Sequence, residues 1–210
     1  DGSAAKDAQA WNGCSGEGSV GAQTSTAATT GAADTGRGGA PGDYDAIIVG
    51  AGFGGLRMLH ALHELGLKCC LIEAGSDVGG TWYWNRYPGA RTDSEAWAYC
   101  YSFSRELMTD WVWPERMPTW DQVQAYLGHV ADRFDLRRDI RFNTHIASAR
   151  FDETTSQWAL VDDSGAQWRC KYFISAMGWF ASACEIPIPG RDRFKGELYM
   201  SAFWPKTPVD

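Results

Sequence analysis

The stretch from Tyr44 to Glu73 restricts the fold more than any other part of this 210-residue chain. Tyr44-Asp45-Ala46-Ile47-Ile48-Val49 is a short apolar run, the pattern of a strand buried on both faces of a parallel sheet. Gly50-Ala51-Gly52-Phe53-Gly54-Gly55 follows at once and has the form G-x-G-x-x-G. Leu56, Leu59, Leu62 and Leu65 then recur at three-residue spacing, and Gly66 supplies a C-terminal stop, so a helix is expected here. Lys68-Cys69-Cys70-Leu71-Ile72-Glu73 reads as a second strand that ends in an acid.

Each part of this unit has a physical reason. Gly50 permits the tight turn out of the strand, Gly52 lets backbone approach a pyrophosphate, and Gly55 lets helix and strand pack closely. The helix N-terminus offers free N–H groups and partial positive charge to phosphates. Glu73, eighteen residues after Gly55, is placed to bind a ribose hydroxyl pair. A glycine-rich βα turn without a ligand is the alternative. With strand, helix, strand and terminal acid all in register, the unit reads as a dinucleotide site.

A second segment is equally unusual. Gly79 to Asp93 holds Trp82, Tyr83, Trp84 and Tyr87 together with Arg86, Arg91 and Asp93. Neither strand nor helix periodicity is present, which predicts a loop rather than a core element. An aromatic loop with buried charge calls for a partner, and a flat, polyanionic cofactor fits that description.

The remainder reads as an α/β domain. Ser94 to Phe103 is rich in rings. Thr119 and Gln122 have the form of a capping box, and Val123, Tyr126, Leu127, Val130 and Phe134 mark one face of the helix that follows. Ile140 to Asn143 reads as a strand, and residues 146–175 as a β-meander that turns at Ser164-Gly165. Tyr172 to Ser175 runs as a strand toward Gly178, and Pro187, Pro189 and Gly190 break the chain into loop. The expected architecture is a Rossmann-like domain over residues 43–190, a parallel sheet with helices plus a β-meander. It is preceded by a disordered, low-complexity tail (1–42) and followed by a linker (191–210).

Composition excludes several function classes. A net charge of -7 argues against a nucleic-acid or anionic-membrane surface. No apolar run reaches the eighteen residues of a membrane span. The six cysteines form no C-x-x-C, and no Cys/His set has zinc spacing, so no metal is expected and a reduced, cytoplasmic protein is. His60, His63, His129 and His145 share no spacing with a nucleophile or metal set and read as structural. Eleven tryptophans either fill a core or line a cofactor cleft.

The Gly50-to-Gly55 turn, Glu73 and the run from Gly79 to Asp93 together resemble the FAD-binding half of flavin-dependent Baeyer–Villiger monooxygenases, from about Tyr44 to Asp210. The resemblance implies that Gly50, Gly52 and Gly55 contact the FAD pyrophosphate and Glu73 the adenosine ribose. Thr81, Trp82 and Trp84 would lie along the flavin and its ribityl chain, Tyr99 and a catalytic Asp93 beside the flavin, and Ile146 would meet the adenine through its backbone. Arg91, Thr92 and Asp93 match the triplet that approaches NADPH. A buried Asp93 carboxylate would orient an arginine; a loop-capping acid is the alternative.

The implied chemistry is reduction of FAD by NADPH, formation of a C4a-peroxyflavin with O2, and conversion of a ketone to an ester or lactone, or oxidation of a sulfide. The family's marker has the form F-x-G-x-x-x-H-x-x-x-W-P. Phe194, Gly196, Trp204 and Pro205 fit it, but Met200 stands where the family has histidine, and Met177 where it more often has threonine. No second G-x-G-x-x-G for NADPH occurs before Asp210, so the resemblance implies a fragment that binds FAD and does not turn over alone. The alternatives are an FAD-dependent reductase or oxidase and a non-catalytic flavoprotein module.

Overall fold

A computed structural model describes residues 39–180, 187–205 and 207–209. The expected tail therefore lies outside the described residues except for its last four. Of those, Gly42 is tied in, its carbonyl accepting from the Arg169 N–H at 2.9 Å.

Strand β1 (Asp43–Val49), helix α1 (Phe53–Glu64) and strand β2 (Cys69–Ile72) form the βαβ unit the glycine pattern demands. A single helical turn α2 (Thr81–Trp84), a short helix α3 (Arg105–Asp110) and the longer α4 (Trp120–Arg133) follow. Strands β3 (Ile140–Arg141), β4 (Ile146–Asp152), β5 (Gln157–Asp162) and β6 (Gln167–Ser175) complete one six-stranded sheet of order β3-β2-β1-β6-β5-β4.

Strand alternation explains why β1 and β2 carry no polar positions in their centres. Ala46, Ile48, Cys69 and Leu71 face one cluster, shared with Leu56 and Leu59 of α1 and with Tyr126, Leu127 and Val130 of α4. Ile47, Cys70 and Ile72 face the other, with Leu160, Trp168 and Cys170 from the antiparallel part of the sheet. Both faces are covered, so every second-residue choice is apolar. Burial pushes the Cys69 and Cys170 thiols up to about 11 and the Cys70 thiol to about 12, which makes them small packing groups rather than nucleophiles.

The expected β-meander is present as β4, β5 and β6, and three other expectations need correction. Strand β6 pairs antiparallel with β5 over residues 167–170 and parallel with β1 over residues 169–175. Trp168 to Cys170 and Tyr172 to Ser175 are therefore one strand, and the meander shares the parallel sheet's hydrogen bonds. The strand expected over 140–143 is only Ile140–Arg141, because Asn143 takes up a left-handed conformation (φ 53°). The segment from Gly79 is not wholly loop, since Thr81–Trp84 closes one helical turn. Leu65 does not share the buried face of α1; it is 73% exposed. A strict three-residue repeat drifts by about 60° per step, so the fourth member lies opposite the first.

Among the described residues, no helix is long and apolar enough to cross a membrane. No group of three His, Cys, Asp or Glu among them is placed to hold a metal ion. Of the tryptophans, Trp168 is fully buried, whereas Trp84 and Trp97 are exposed. Its indole N–H donates to the Asp162 carboxylate at 3.1 Å. Burial opposes ionisation of Asp162, yet hydrogen bonds from Ser164, Trp168 and Ala166 outweigh it and hold the carboxyl below its usual range.

Candidate functional site

The glycine turn is built by close backbone approach. Gly50 adopts φ +107°, and a Cβ there would lie 2.5 Å from the Ala176 carbonyl oxygen, where β6 ends beside β1. A Cβ on Gly55 would lie 1.8 Å from the Gly50 carbonyl oxygen, so helix α1 meets the turn backbone to backbone. Helix α1 begins at Phe53 with Gly52 as its cap, no side-chain capping bond and no acid in its first turn. Its first N–H groups are thus left to an anion by the local sequence itself.

Glu73 is buried at the end of β2 and holds this turn from the other side. One carboxylate oxygen accepts from the Ala51 N–H at 2.6 Å and the other from the Gly75 N–H at 2.7 Å. The Glu73 backbone closes the sheet, its N–H donating to the Arg141 carbonyl at 2.9 Å and its carbonyl accepting from the Thr144 N–H at 3.0 Å. Ile146, two residues on, is half-buried at the start of β4. A cleft of about 540 Å³ opens just past Glu73, lined by Ala74, Asn143, Thr144 and His145 among others.

The aromatic turn docks directly on the glycine turn. The Gly79 N–H donates to the Ala51 carbonyl at 3.0 Å, and a Cβ added to Gly80 would lie 2.7 Å from the Gly52 Cα. Nothing larger than glycine fits at this seam, which explains the Gly79-Gly80 pair. Trp82 meets Tyr99 edge to face at 5.7 Å, and Tyr99 meets Phe53, the first residue of α1, at the same distance. Thr81, Trp82 and Tyr99 are part-exposed and Trp84 is 40% exposed. The structure thus brings Gly50, Gly52, Gly55, Glu73, Thr81, Trp82 and Tyr99 into one continuous region.

The triplet after the turn behaves differently from expectation. Asp93 is exposed, not buried, and its carboxylate accepts from the Ser94 hydroxyl at 3.3 Å. It lies close enough to Tyr99 to matter, since burial first and the Asp93 charge second raise the Tyr99 pKa. Thr92 is buried, with its hydroxyl donating to the Ser94 carbonyl at 2.7 Å, so its side chain does not face outward. Arg91 reaches the Glu115 carboxylate at 3.2 Å and the Met117 carbonyl at 3.4 Å. Arg86 is exposed as well, so the charges of this segment are not buried. Short backbone bonds to the segment before α4 cause this: the Thr92 N–H donates to the Pro118 carbonyl at 3.0 Å, which turns alternate side chains in and out.

Several site-building residues escape sequence reasoning. Tyr83 folds back on its own approach loop, its hydroxyl accepting from the Ser76 N–H at 3.0 Å, its ring filling the space beside Gly75 and its Cβ that beside Gly79. Tyr101 donates its hydroxyl to the Phe53 carbonyl at 2.6 Å, and Tyr126 of α4 accepts from the Tyr101 N–H at 2.8 Å. These bonds join positions far apart in sequence. The Gly79-Gly80 doublet was the one local signal, because a single glycine suffices for most turns.

Residues 45–208 match the family model described as flavin-binding monooxygenase-like. The acetone monooxygenase (methyl acetate-forming) of Gordonia sp. (strain TY-5) is 43% identical over 166 residues, which cover 79% of this chain and 31% of that protein. A phenazine N-monooxygenase of Lysobacter antibioticus is also 43% identical, over 77% of this chain and 30% of that protein. The crystal structure of cyclohexanone monooxygenase from Rhodococcus sp. Phi1 bound to NADP+ superposes with a TM-score of 0.75 at 41% identity, covering 81% of this chain and 32% of that one. The chain thus spans about a third of the length of the curated relatives it matches.

Proposed function

This chain belongs to the flavin-binding monooxygenase-like family, and on that premise we propose that it is the FAD-binding portion of a Baeyer–Villiger-type monooxygenase that uses NADPH and O2 to convert a ketone to an ester or lactone. The observation that carries the reading is the seam between Gly52 and Gly80. No side chain separates the turn that suits a pyrophosphate from the turn that carries the rings, so one extended ligand spans both. A flavin that also engages a G-x-G-x-x-G turn and its acid is a dinucleotide, hence FAD.

The residues present fit that group. The N–H groups of Phe53, Gly54 and Gly55 would donate to the pyrophosphate. Each Glu73 oxygen already accepts one backbone N–H but keeps a lone pair for a ribose hydroxyl. The adenosine end would lie toward the cleft past Ala74, with Ile146 nearby. Thr81, Trp82, Trp84 and Tyr99 would line the flavin and its ribityl chain and exclude water from it. Exposed Asp93 would hold and orient a cationic group facing the flavin, and Arg91 would face NADPH. Bound FAD would supply hydride acceptance and O2 activation; the chain supplies position and electrostatics.

An FAD-dependent reductase or oxidase is a second reading, and Met200 favours it. Its sulfur takes the Arg191 guanidinium at 3.8 Å where the marker calls for a titratable imidazole. The phenazine relative motivates a heteroatom substrate as a variant of the first reading.

Titration of purified 1–210 with FAD tests the proposal. The expected product is a yellow 1:1 complex, stabilised by about 2.7 kcal/mol when free FAD is a hundredfold above Kd. A colourless chain whose melting temperature ignores FAD overturns the reading. With NADPH and cyclohexanone, 1–210 alone should form no lactone, because oxygenation is proposed for a longer protein that contains this stretch. Rapid lactone formation would refute that part. In the longer protein, NADPH consumption giving hydrogen peroxide and no ester would select the second reading.

A further inference from the structure

Asp77 and Arg137 are sixty residues apart in sequence, and their side chains meet at 2.7 Å. Asp77 immediately precedes the Val78-Gly79-Gly80 entry to the aromatic turn. Its Oδ1 accepts from the Val78 N–H at 2.7 Å and from Arg137 Nη1, so one oxygen ties the local backbone to a distant cation. Arg137 uses a second edge of its guanidinium on Asp132, Nε to Oδ1 at 2.5 Å, in the last turn of α4. Gln124 of the same helix donates to the Val78 carbonyl at 3.3 Å, and Val78 itself is fully buried.

Helix α2 is four residues long, far below what sustains a helix by itself. Its direction is therefore set by whatever holds its entry. On one side that is the Gly79 bond to Ala51, within the dinucleotide turn. On the other it is the Asp77–Arg137–Asp132 bridge to α4. We propose that Arg137 is a positioning residue for the flavin: acting through Asp77, it fixes the Val78-to-Gly80 entry and with it the directions of Trp82 and Trp84. This rests on the FAD reading above. A planar guanidinium is required because two acids on different elements are held along two of its edges, which one ammonium does not reproduce.

The test measures FAD affinity and the visible circular dichroism of bound flavin in 1–210 for Arg137→Met, Arg137→Lys, Asp77→Asn and the Asp77→Asn/Arg137→Met pair. Conditions are chosen so that urea curves show every FAD-free variant fully folded, which removes global stability from the comparison. The bridge is part-exposed, so the expected loss for Arg137→Met is about three- to tenfold in Kd rather than orders of magnitude. Asp77→Asn, nearly isosteric, should give the same change in flavin dichroism, and Arg137→Lys should fall between Arg137→Met and wild type. The double variant should be no worse than the weaker single, because both act through one bridge. Wild-type affinity and dichroism in all variants, or additive losses in the pair, would overturn the clamp alone. A wild-type chain that takes up no flavin overturns the FAD reading and the clamp with it.

Discussion

Replacing Glu73 separates a structural role from ligand recognition. Its two carboxylate oxygens each accept one backbone N–H, from Ala51 at 2.6 Å and Gly75 at 2.7 Å, and all three residues are buried. Glutamine has only one acceptor oxygen. In Glu73→Gln the amide NH2 must face one of the two N–H groups, leaving a buried donor unpaired at a cost of about 1–3 kcal/mol. Glu73→Ala strands both donors, which sums to about 2–5 kcal/mol once some water entry is allowed. For a chain of this size each kcal/mol lowers the melting temperature by about 2–4 °C. Urea denaturation without FAD is the assay, since no ribose is then present to contribute. A Glu73→Gln chain within about 0.5 kcal/mol of wild type would refute the argument that the acid is needed to close the glycine turn.

Three further outcomes follow from the same geometry. Gly55→Ala should fail to give folded protein, because its Cβ would overlap the Gly50 carbonyl oxygen at 1.8 Å, whereas Gly54→Ala has open space and should stabilise the FAD-free chain by about 0.5–1 kcal/mol; equal melting temperatures would contradict this. Tyr126→Phe strands the Tyr101 N–H and should cost about 1–3 kcal/mol, more than Tyr101→Phe, which removes only one of two donors to the Phe53 carbonyl; the reverse order in urea curves would be the contrary result. His60 packs against Phe103 at 4.4 Å and Phe134 at 4.7 Å, and burial lowers its pKa from 6.5 despite Glu64. The unfolded chain therefore binds the proton more readily, and stability should fall as pH drops through about 6.5 toward the lower folded value. Melting curves between about pH 7.5 and about pH 5.5 should show a smaller loss in His60→Gln than in wild type, and parallel losses would exclude His60 as the cause.

Much of the site was legible because its signals are local. The glycine spacing, the apolar strands and the terminal Glu73 are dictated by backbone clashes and by burial on two faces, which act within thirty residues. The capping residue before α4 is similarly local, Gln122 Oε1 accepting from the Thr119 N–H at 3.2 Å. Asp93 and Thr92 were not readable, since their exposure depends on the Thr92 bond to Pro118, twenty-six residues away. The β-meander was recognisable strand by strand, but a strand does not record in its sequence which neighbour it bonds.

By itself, the sequence determined that residues 44–73 form a βαβ unit with an anion-ready helix start, because only glycine fits where backbone meets backbone. It also marked residues 79–93 as unusual without saying what they rest on. Only the tertiary structure decided that Gly80 seats on Gly52, that Asp77 is held by Arg137, and that β6 merges the meander with the parallel sheet. These contacts join separate segments of the chain, and their energy depends on distances that no local pattern encodes.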